Sequence, residues 1–250
     1  MSVSWVAGST AAFISSGTSI SATTPAGIAN DDTLLAAVYS RRPTSGPSTI
    51  TGPTGWTKLI ETDEFDQIAG GTIFQRLSLW AKNTVTSSDA SASFTWQQTN
   101  SGRMGIVYAV ARGVDSIAHS AAITSRVNSW QITPPTQTAT KAGSILLAFG
   151  TTINNNGLNV SPFTGALTPT VPTSFTRFSG DGLMQYRLCG AYRAVGNGDA
   201  NSGAFDFSPG VSTSTDNGLG AIAVRLEPAG AAGIDGYIEH SSPLLVGSIL

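Results

Sequence analysis

Five short blocks of this sequence recur in the same order in its second half. The matched blocks are residues 33–38 with 144–149, 53–59 with 172–178, 80–84 with 191–195, 92–96 with 203–207, and 107–111 with 221–225. The offsets are nearly constant: 112 residues for Leu34 and Leu146, 119 for Trp56 and Phe175, and 111 for Phe94 and Phe205. Because the order and the spacing agree together, the sequence predicts an internal duplication of a five-strand unit.

The blocks have the length and composition of β-strands. Charged residues make up 11% of the chain, against about 25% in a typical soluble domain. Thr, Ser, Asn and Gly replace them, and these residues favour pleated surfaces and turns over helices. The predicted strands of the first repeat are residues 33–40, 55–61, 72–82, 92–97 and 103–111.

One five-strand unit would leave an apolar sheet face in water, so two units are expected to pack together. We predict an all-β fold: a jelly-roll-like β-sandwich in one domain, residues 1–228, whose repeats each contribute strands to both layers. Repeat one covers about 30–115 and repeat two about 142–228. Two separate sandwiches stay the alternative, since the connection 116–141 is long, although Trp130 and Ile132 within it favour strand over linker. The residues predicted to be buried are Leu34, Trp56, Leu79, Phe94, Val110, Leu146, Phe175, Phe205 and Val224.

The chain ends in an apolar segment, although chain ends are usually polar and frayed. Residues 229–233 read Ala-Gly-Ala-Ala-Gly, which predicts a hinge. Residues 234–250, the C-terminal arm, are predicted to dock on a neighbouring subunit as an extended strand. The alternative is that the arm closes an edge of its own sandwich. The docking residues are Ile234, Tyr237, Ile238, Leu244, Leu245, Val246, Ile249 and Leu250.

The charged residues offer little for catalysis or for cofactors. A net charge of −2 argues against nucleic acid, which needs clustered Lys and Arg. Glu61, Asp63, Glu64 and Asp66 lie close together, but such a cluster is typical of a solvated acidic patch. We expect no metal or other cofactor and no enzymatic activity. The single cysteine, Cys189, excludes an internal disulfide and is expected to be a buried apolar residue.

Exposed aromatic rings could bind a sugar by stacking. Trp56 and Trp96 match Phe175 and Phe207 in the second repeat, so they are predicted to be core residues. Trp130 and Trp5 lie outside this pattern. They are the candidates for ligand stacking if the chain is a carbohydrate-binding or adhesion module.

Several motifs resemble a poorly characterised family of β-sandwich, jelly-roll-like proteins found in tailed phages and on bacterial surfaces. The motifs are DTLLA at 32–36, PTGWT at 53–57, LWAK at 79–82, SFTW at 93–96 and YAVARGVD at 108–115. The resemblance covers roughly residues 30–228 and implies display or adhesion without catalytic residues.

The resemblance and the apolar arm together imply a virion structural protein. We expect a non-enzymatic accessory or decoration subunit, folded in the bacterial host cytoplasm and held on the head or the tail by protein–protein contacts. The expected partners are further copies of the chain, with a trimer as the working guess, and other virion structural proteins. Host surface glycans remain open as ligands, whereas nucleic acid and membrane insertion are not expected.

Overall fold

The computed structural model describes residues 1–42, 48–62, 65–66, 74–127, 131–154, 175–183, 186–200, 205–206 and 217–229. Within these ranges the regular secondary structure is β-strand, apart from one 3-10 turn at Ser87–Asp89. The strands form two large antiparallel sheets and a separate two-stranded ribbon.

The first sheet contains the strands of the first half of the chain. Its strands are β1 (Ser4–Gly8), β2 (Ala12–Thr23), β3 (Thr33–Arg42), β4 (Ile50–Thr51), β5 (Trp56–Glu61), β6 (Phe65–Asp66), β7 (Phe74–Lys82) and β8 (Ser93–Arg112). The central order is β1-β8-β3-β7-β5, while β2 and β4 pair with β8, and β6 pairs with β7. The two strands predicted at 92–97 and 103–111 are one continuous strand, β8. Strand β2 pairs with both parts of it, and the register shifts between Ile14 and Ser19.

The second sheet contains the strands that follow. They are β9 (Ser116–Val127), β11 (Ser144–Asn154), β12 (Thr176–Leu183), β13 (Tyr186–Val195) and β15 (Asn217–Glu227), in the order β12-β13-β11-β15-β9. The ribbon pairs β10 (Gln131–Ile132) with β14 (Phe205–Asp206).

The two sheets share one strand order. In the first sheet β8, β3, β7 and β5 are successive neighbours, and in the second β15, β11, β13 and β12 occupy the corresponding places. This correspondence supports the duplication hypothesis. It also shows that the predicted exchange of strands between layers is wrong, because each half of the chain forms its own sheet.

Two of the sequence matches differ from the structure by one residue. The match of 33–38 with 144–149 pairs Leu35 with Leu146, but it is Leu147 that faces the inter-sheet core as Leu35 does. Leu35 opposes Ala109 in the first sheet, and Leu147, 112 positions later, opposes Val224 in the second. Val224 therefore corresponds to Ala109, whereas the sequence match paired it with Val110. The difference matters because successive strand residues point to opposite faces of a sheet.

The inner faces of the two sheets share a hydrophobic core. Its buried residues come from both sheets: Val3, Leu35, Ala37, Tyr39, Leu77, Leu79, Val107, Ala109 and Ala111 from the first, and Ile145, Leu147, Phe149, Leu188, Ile222, Val224 and Leu226 from the second. Sheets that bury a common apolar face form a sandwich, so the all-β sandwich prediction is confirmed. The halves share one core instead of forming two separate sandwiches.

Each sheet also buries residues on its outer face. Outside the first sheet, Trp56, Trp80 and Trp96 lie in a cluster with Leu34, Val110 and their neighbours. Outside the second sheet, Phe175 and Ile132 cover Leu146, Ala148 and Cys189. Cys189 is buried, as its sequence context predicts.

The predicted core residues are largely confirmed. Buried are Leu34, Trp56, Leu79, Val110, Leu146, Phe175 and Val224. Phe94 is only partly buried, because it lies next to the beginning of β8, and Trp96 takes the central place of its cluster. The side chain of Phe205 lies outside the described residues.

Candidate functional site

Strand β9 forms one edge of the second sheet. The alternation of its residues explains which side chains face the core. Ile117, Ala121 and Ile123 pack against the inter-sheet core, while Ala118, Ser120 and Ala122 point to the opposite face. Along the other side of β9, no strand of the described residues pairs with it. Every second residue of such an edge turns its N–H and C=O groups away from the sheet, so β9 offers a row of backbone groups to a further strand.

Edge strands of natural sheets usually carry protection against such pairing, most often Lys, Pro or a strong bulge. In its 12 residues β9 contains no Lys and no Pro, and its charged residues are limited to Arg126 and the titratable His119. Its pairing with β15 is regular from Ser116 to Thr124. The edge is therefore regular and weakly charged from Ser116 to Thr124, and the register shifts between Thr124 and Val127. A regular, weakly charged edge favours strand addition.

A cleft separates β9 from β5, the edge strand of the first sheet that faces β9. It has a volume of about 190 Å³ and is lined by Ile60, Glu61, Thr62, Ala121, Ala122 and Ile123. A cavity of roughly 150 Å³ suffices to hold a benzene molecule. The cleft therefore has room for one large side chain of a strand added beside β9.

Glu61 is the charged group of this cleft. Its Oε2 atom accepts hydrogen bonds from Lys58 Nζ at 3.2 Å and from Arg76 Nη1 at 3.1 Å. Its Oε1 atom is buried and accepts no hydrogen bond within the described part of the chain. A hydroxyl or amide that entered the cleft could donate to this oxygen.

The position of Glu61 corrects one sequence interpretation. The acidic cluster 61–66 was expected to be a solvated patch, but the Glu61 side chain is 16% exposed and ion-paired. Arg76 on the neighbouring strand β7 provides the compensating charge that local sequence did not reveal. Asp63 and Glu64, together with the side chain of Asp66, lie outside the described residues.

The last described strand ends beside the beginning of β9. Glu227, the last residue of β15, opposes Ser116, and its carbonyl oxygen accepts a hydrogen bond of 2.8 Å from the N–H of Asp115. Pro228 is buried, and its carbonyl accepts a hydrogen bond from Lys141 Nζ, whereas Ala229 is exposed. The chain therefore reaches solvent at Ala229, next to the edge strand.

The Glu227 carboxylate holds the end of β15 against the segment that contains Thr140. Its Oε1 atom accepts hydrogen bonds from the N–H of Thr140, at 2.7 Å, and from the Thr140 hydroxyl. Burial alone would raise the pKa of Glu227, but these bonds and the charges of Arg225 and Lys141 outweigh it and lower that pKa below its usual value. The ionised carboxylate thus stabilises the folded chain.

Replacing Glu227 with Gln should lower the melting temperature at neutral pH but much less in acid. Because the folded pKa is lowered, the ionised group contributes stability above its unfolded pKa, and this is lost as the pH falls through the folded value. The melting temperatures of both proteins, measured between pH 7 and about pH 3, which is below the usual Glu pKa, should converge. A constant difference over that range would show that the charge of Glu227 has no stabilising role.

The predicted site residues lie in different regions. Trp5, on β1, stacks on Tyr192 of β13 with ring centroids 4.1 Å apart and an interplanar angle of 8°. This pair bridges the two sheets at the edge opposite β9, and it covers one face of the Trp5 ring. Trp130 and all the predicted docking residues of the arm lie outside the described residues. Ligand stacking and docking by these residues stay predictions.

The structure assigns the described polar clusters to local roles. Asp32 was interpreted as part of a turn, and its carboxylate is held by Arg112 Nε at 2.7 Å, Arg112 Nη2 at 2.9 Å and the N–H of Ala29 at 2.8 Å. Among the described residues, no group of three or more His, Cys, Asp or Glu side chains is placed to hold a metal ion. In the same part of the chain, no helix has the length and hydropathy needed to cross a membrane.

Comparisons with known proteins give no relative: no family model, no curated protein and no solved structure matches the chain. The strongest candidate site is therefore defined by geometry alone. It is the free edge of β9 with the adjacent cleft, which we call the β9 acceptor edge. Sequence reasoning did not find it, although the alternation of Ile117, Ala121 and Ile123 with small residues was a usable signal.

Proposed function

We propose that this chain is a non-enzymatic structural subunit of a phage particle, displayed on its surface and held there by protein–protein contacts. The observation that supports the assembly role is the exit of the chain beside a long edge strand that no described strand covers, followed by 17 apolar-rich residues. An extended arm of this kind gains backbone hydrogen bonds when it adds to a sheet edge, and its alternate side chains fill pockets.

The described surface supports a subunit that docks through strands and not through an apolar patch. Both outer sheet faces bury their own clusters of side chains. Within the described residues, Met1 is the only large hydrophobic side chain found exposed. We therefore expect apolar contact with a partner to come from residues such as those of the arm. The assignment to a phage particle rests on the family resemblance of the sequence motifs at 32–36, 53–57, 79–82, 93–96 and 108–115.

Mass spectrometry of purified particles tests the virion assignment. Particles released from the host that encodes this chain should contain it at a fixed copy number relative to the major shell or tube protein. Its copy number and its position on head or tail would be read from intact particles and from separated heads and tails. Absence from particles, or recovery only in amounts that vary with washing, would overturn the proposal.

Deletion of residues 234–250 tests the role of the arm. We expect the truncated chain to fold with an unchanged melting temperature, because the two described sheets bury a common core between them. It should no longer assemble, as measured by light scattering and by incorporation into particles. A matched control replaces the arm with a polar sequence of the same length. A truncated chain that unfolds or aggregates as a monomer would show that the arm belongs to its own core.

A further inference from the structure

We infer that the β9 acceptor edge binds the C-terminal arm of a second copy of this chain. This inference rests on the proposed function, since it names the partner of the arm. In this arrangement the arm of one copy leaves its sheet at Ala229, pairs with the β9 edge of another copy and fills the cleft beside β5.

The lengths of the two segments fit each other. The arm has 17 residues and β9 has 12, so the arm can cover the whole edge in extended form. Pro243 divides the arm into two parts, and a proline is tolerated in an edge strand where its missing N–H faces away from the sheet. Both segments are weakly charged: the charged residues of the arm are Asp235 and Glu239, next to the titratable His240.

The cleft gives the added strand a side-chain pocket. A strand beside β9 would point alternate residues toward β5, into the space lined by Ile60, Thr62 and Ile123. Ile60 and Ile123 form an apolar part of this lining, and the apolar residues of the arm suit that part. A tyrosine or serine hydroxyl of the arm could also donate to Glu61 Oε1, which is buried and accepts no hydrogen bond from a described residue.

The topology favours a second copy over the chain's own arm. The connection from β8 to β9, residues 113–115, enters the sheet at the same end at which β15 leaves it, and Asp115 is hydrogen-bonded to Glu227 there. To reach its own β9 edge, the arm would have to cross this connection. Connections of one chain rarely cross at the same edge of a sheet. An arm from a neighbouring copy meets no such obstacle.

Cysteine pairing between two differently tagged chains tests the inference. One chain carries Ala122→Cys, and the other carries a single cysteine in the arm, at Ile238, Leu244, Val246 or Ser248 in turn. Neighbouring strands place paired residues about 4.5–5.5 Å apart, which is within the range that a disulfide spans. The natural Cys189 is buried, which limits background oxidation.

The expected result is a disulfide-linked band at twice the chain mass for at least one arm position. It should contain both tags, disappear on reduction and be absent when either introduced cysteine is missing. A matched control moves the first cysteine to Ser21 on β2, in the first sheet, and should give no such band.

Two outcomes would overturn the inference. A chain carrying both cysteines that forms only an internal disulfide would show that the arm closes its own edge. Absence of any β9 link, in chains that still enter particles and lose this ability when the arm is deleted, would show that the arm docks on another protein. The second outcome would leave the proposed function intact, whereas absence of the chain from particles would remove it.

Discussion

Replacing Trp96 with alanine is expected to lower the free energy of unfolding by about 3–5 kcal/mol, as for other buried aromatic residues. Trp96 is fully buried on the outer face of the first sheet. For a chain of this size each kcal/mol shifts the melting temperature by roughly 2–4 °C. Calorimetry should therefore show a decrease of about 6–20 °C.

The packing around Trp96 explains why the loss should be large. Its ring meets Trp56 at a centroid distance of 5.1 Å and Trp80 at 5.2 Å, both edge to face. Its Nε1–H donates to the hydroxyl of Tyr108 at 3.1 Å. Burial raises the pKa of Tyr108 to about 12, although the bond from Trp96 acts to lower it. The cavity left by Trp96→Ala would therefore lie between the indoles of Trp56 and Trp80. It would also lie beside the buried hydroxyl of Tyr108, which would lose its hydrogen-bond donor.

Two further variants separate these contributions. Trp96→Phe keeps most of the ring and removes the N–H group, so it should cost about 1 kcal/mol for the lost hydrogen bond, plus a smaller packing loss. Phe94→Ala changes a partly buried aromatic residue on the same strand and should cost clearly less than Trp96→Ala. If Phe94→Ala lowered the free energy of unfolding more than Trp96→Ala, the assignment of Trp96 to the centre of the outer cluster would be wrong.

The contrast between Trp96 and Phe94 shows what the sequence could predict. Strands were found because alternating apolar residues and turn residues mark them locally, and β3, β5 and β7 begin and end within two residues of their predicted limits. Both aromatic residues lie on the same face of β8, so periodicity alone cannot separate them. Only the fold shows that Trp96 lies beneath Trp56 and Trp80, while Phe94 lies near the strand end.

The arrangement of the layers was harder to predict. Matched blocks at similar spacings indicate that two units are alike, but they do not tell whether the units exchange strands. The one-residue error that matched Val224 to Val110 has a similar origin. Both faces of β8 and β15 are apolar because each sheet buries both faces, so their sequences lack the alternation that would fix the register.

For the candidate site, the sequence indicated the C-terminal arm but not the β9 acceptor edge. The apolar arm after residue 233 is visible from composition alone. The acceptor edge of β9 depends on which strand ends up last in the sheet, and that depends on long-range pairing with β15. Glu61 illustrates the same point, since its burial follows from Arg76, which is 15 residues away in sequence and 3.1 Å away in space.

Replacing Phe149 with alanine is expected to destabilise both sheets together. Phe149 lies on β11 in the second sheet, is fully buried and belongs to the same core cluster as Tyr39 and Leu77 of the first sheet. Its truncation should cost about 3–5 kcal/mol. Because this core is shared, the loss should appear in a single unfolding transition for the whole chain.

The distribution of tryptophan residues makes this test specific. In a Trp5→Phe, Trp130→Phe background, the remaining indoles are Trp56, Trp80 and Trp96, all in the outer cluster of the first sheet. Their fluorescence then reports the first sheet, although the substitution at Phe149 lies in the second. With one shared core, the fluorescence midpoint and the far-ultraviolet circular dichroism midpoint should fall by the same amount, since cooperative domains unfold as a unit. A fluorescence midpoint that stays in place while part of the dichroism signal melts early would show two independent units, and the shared core would then contribute little to stability.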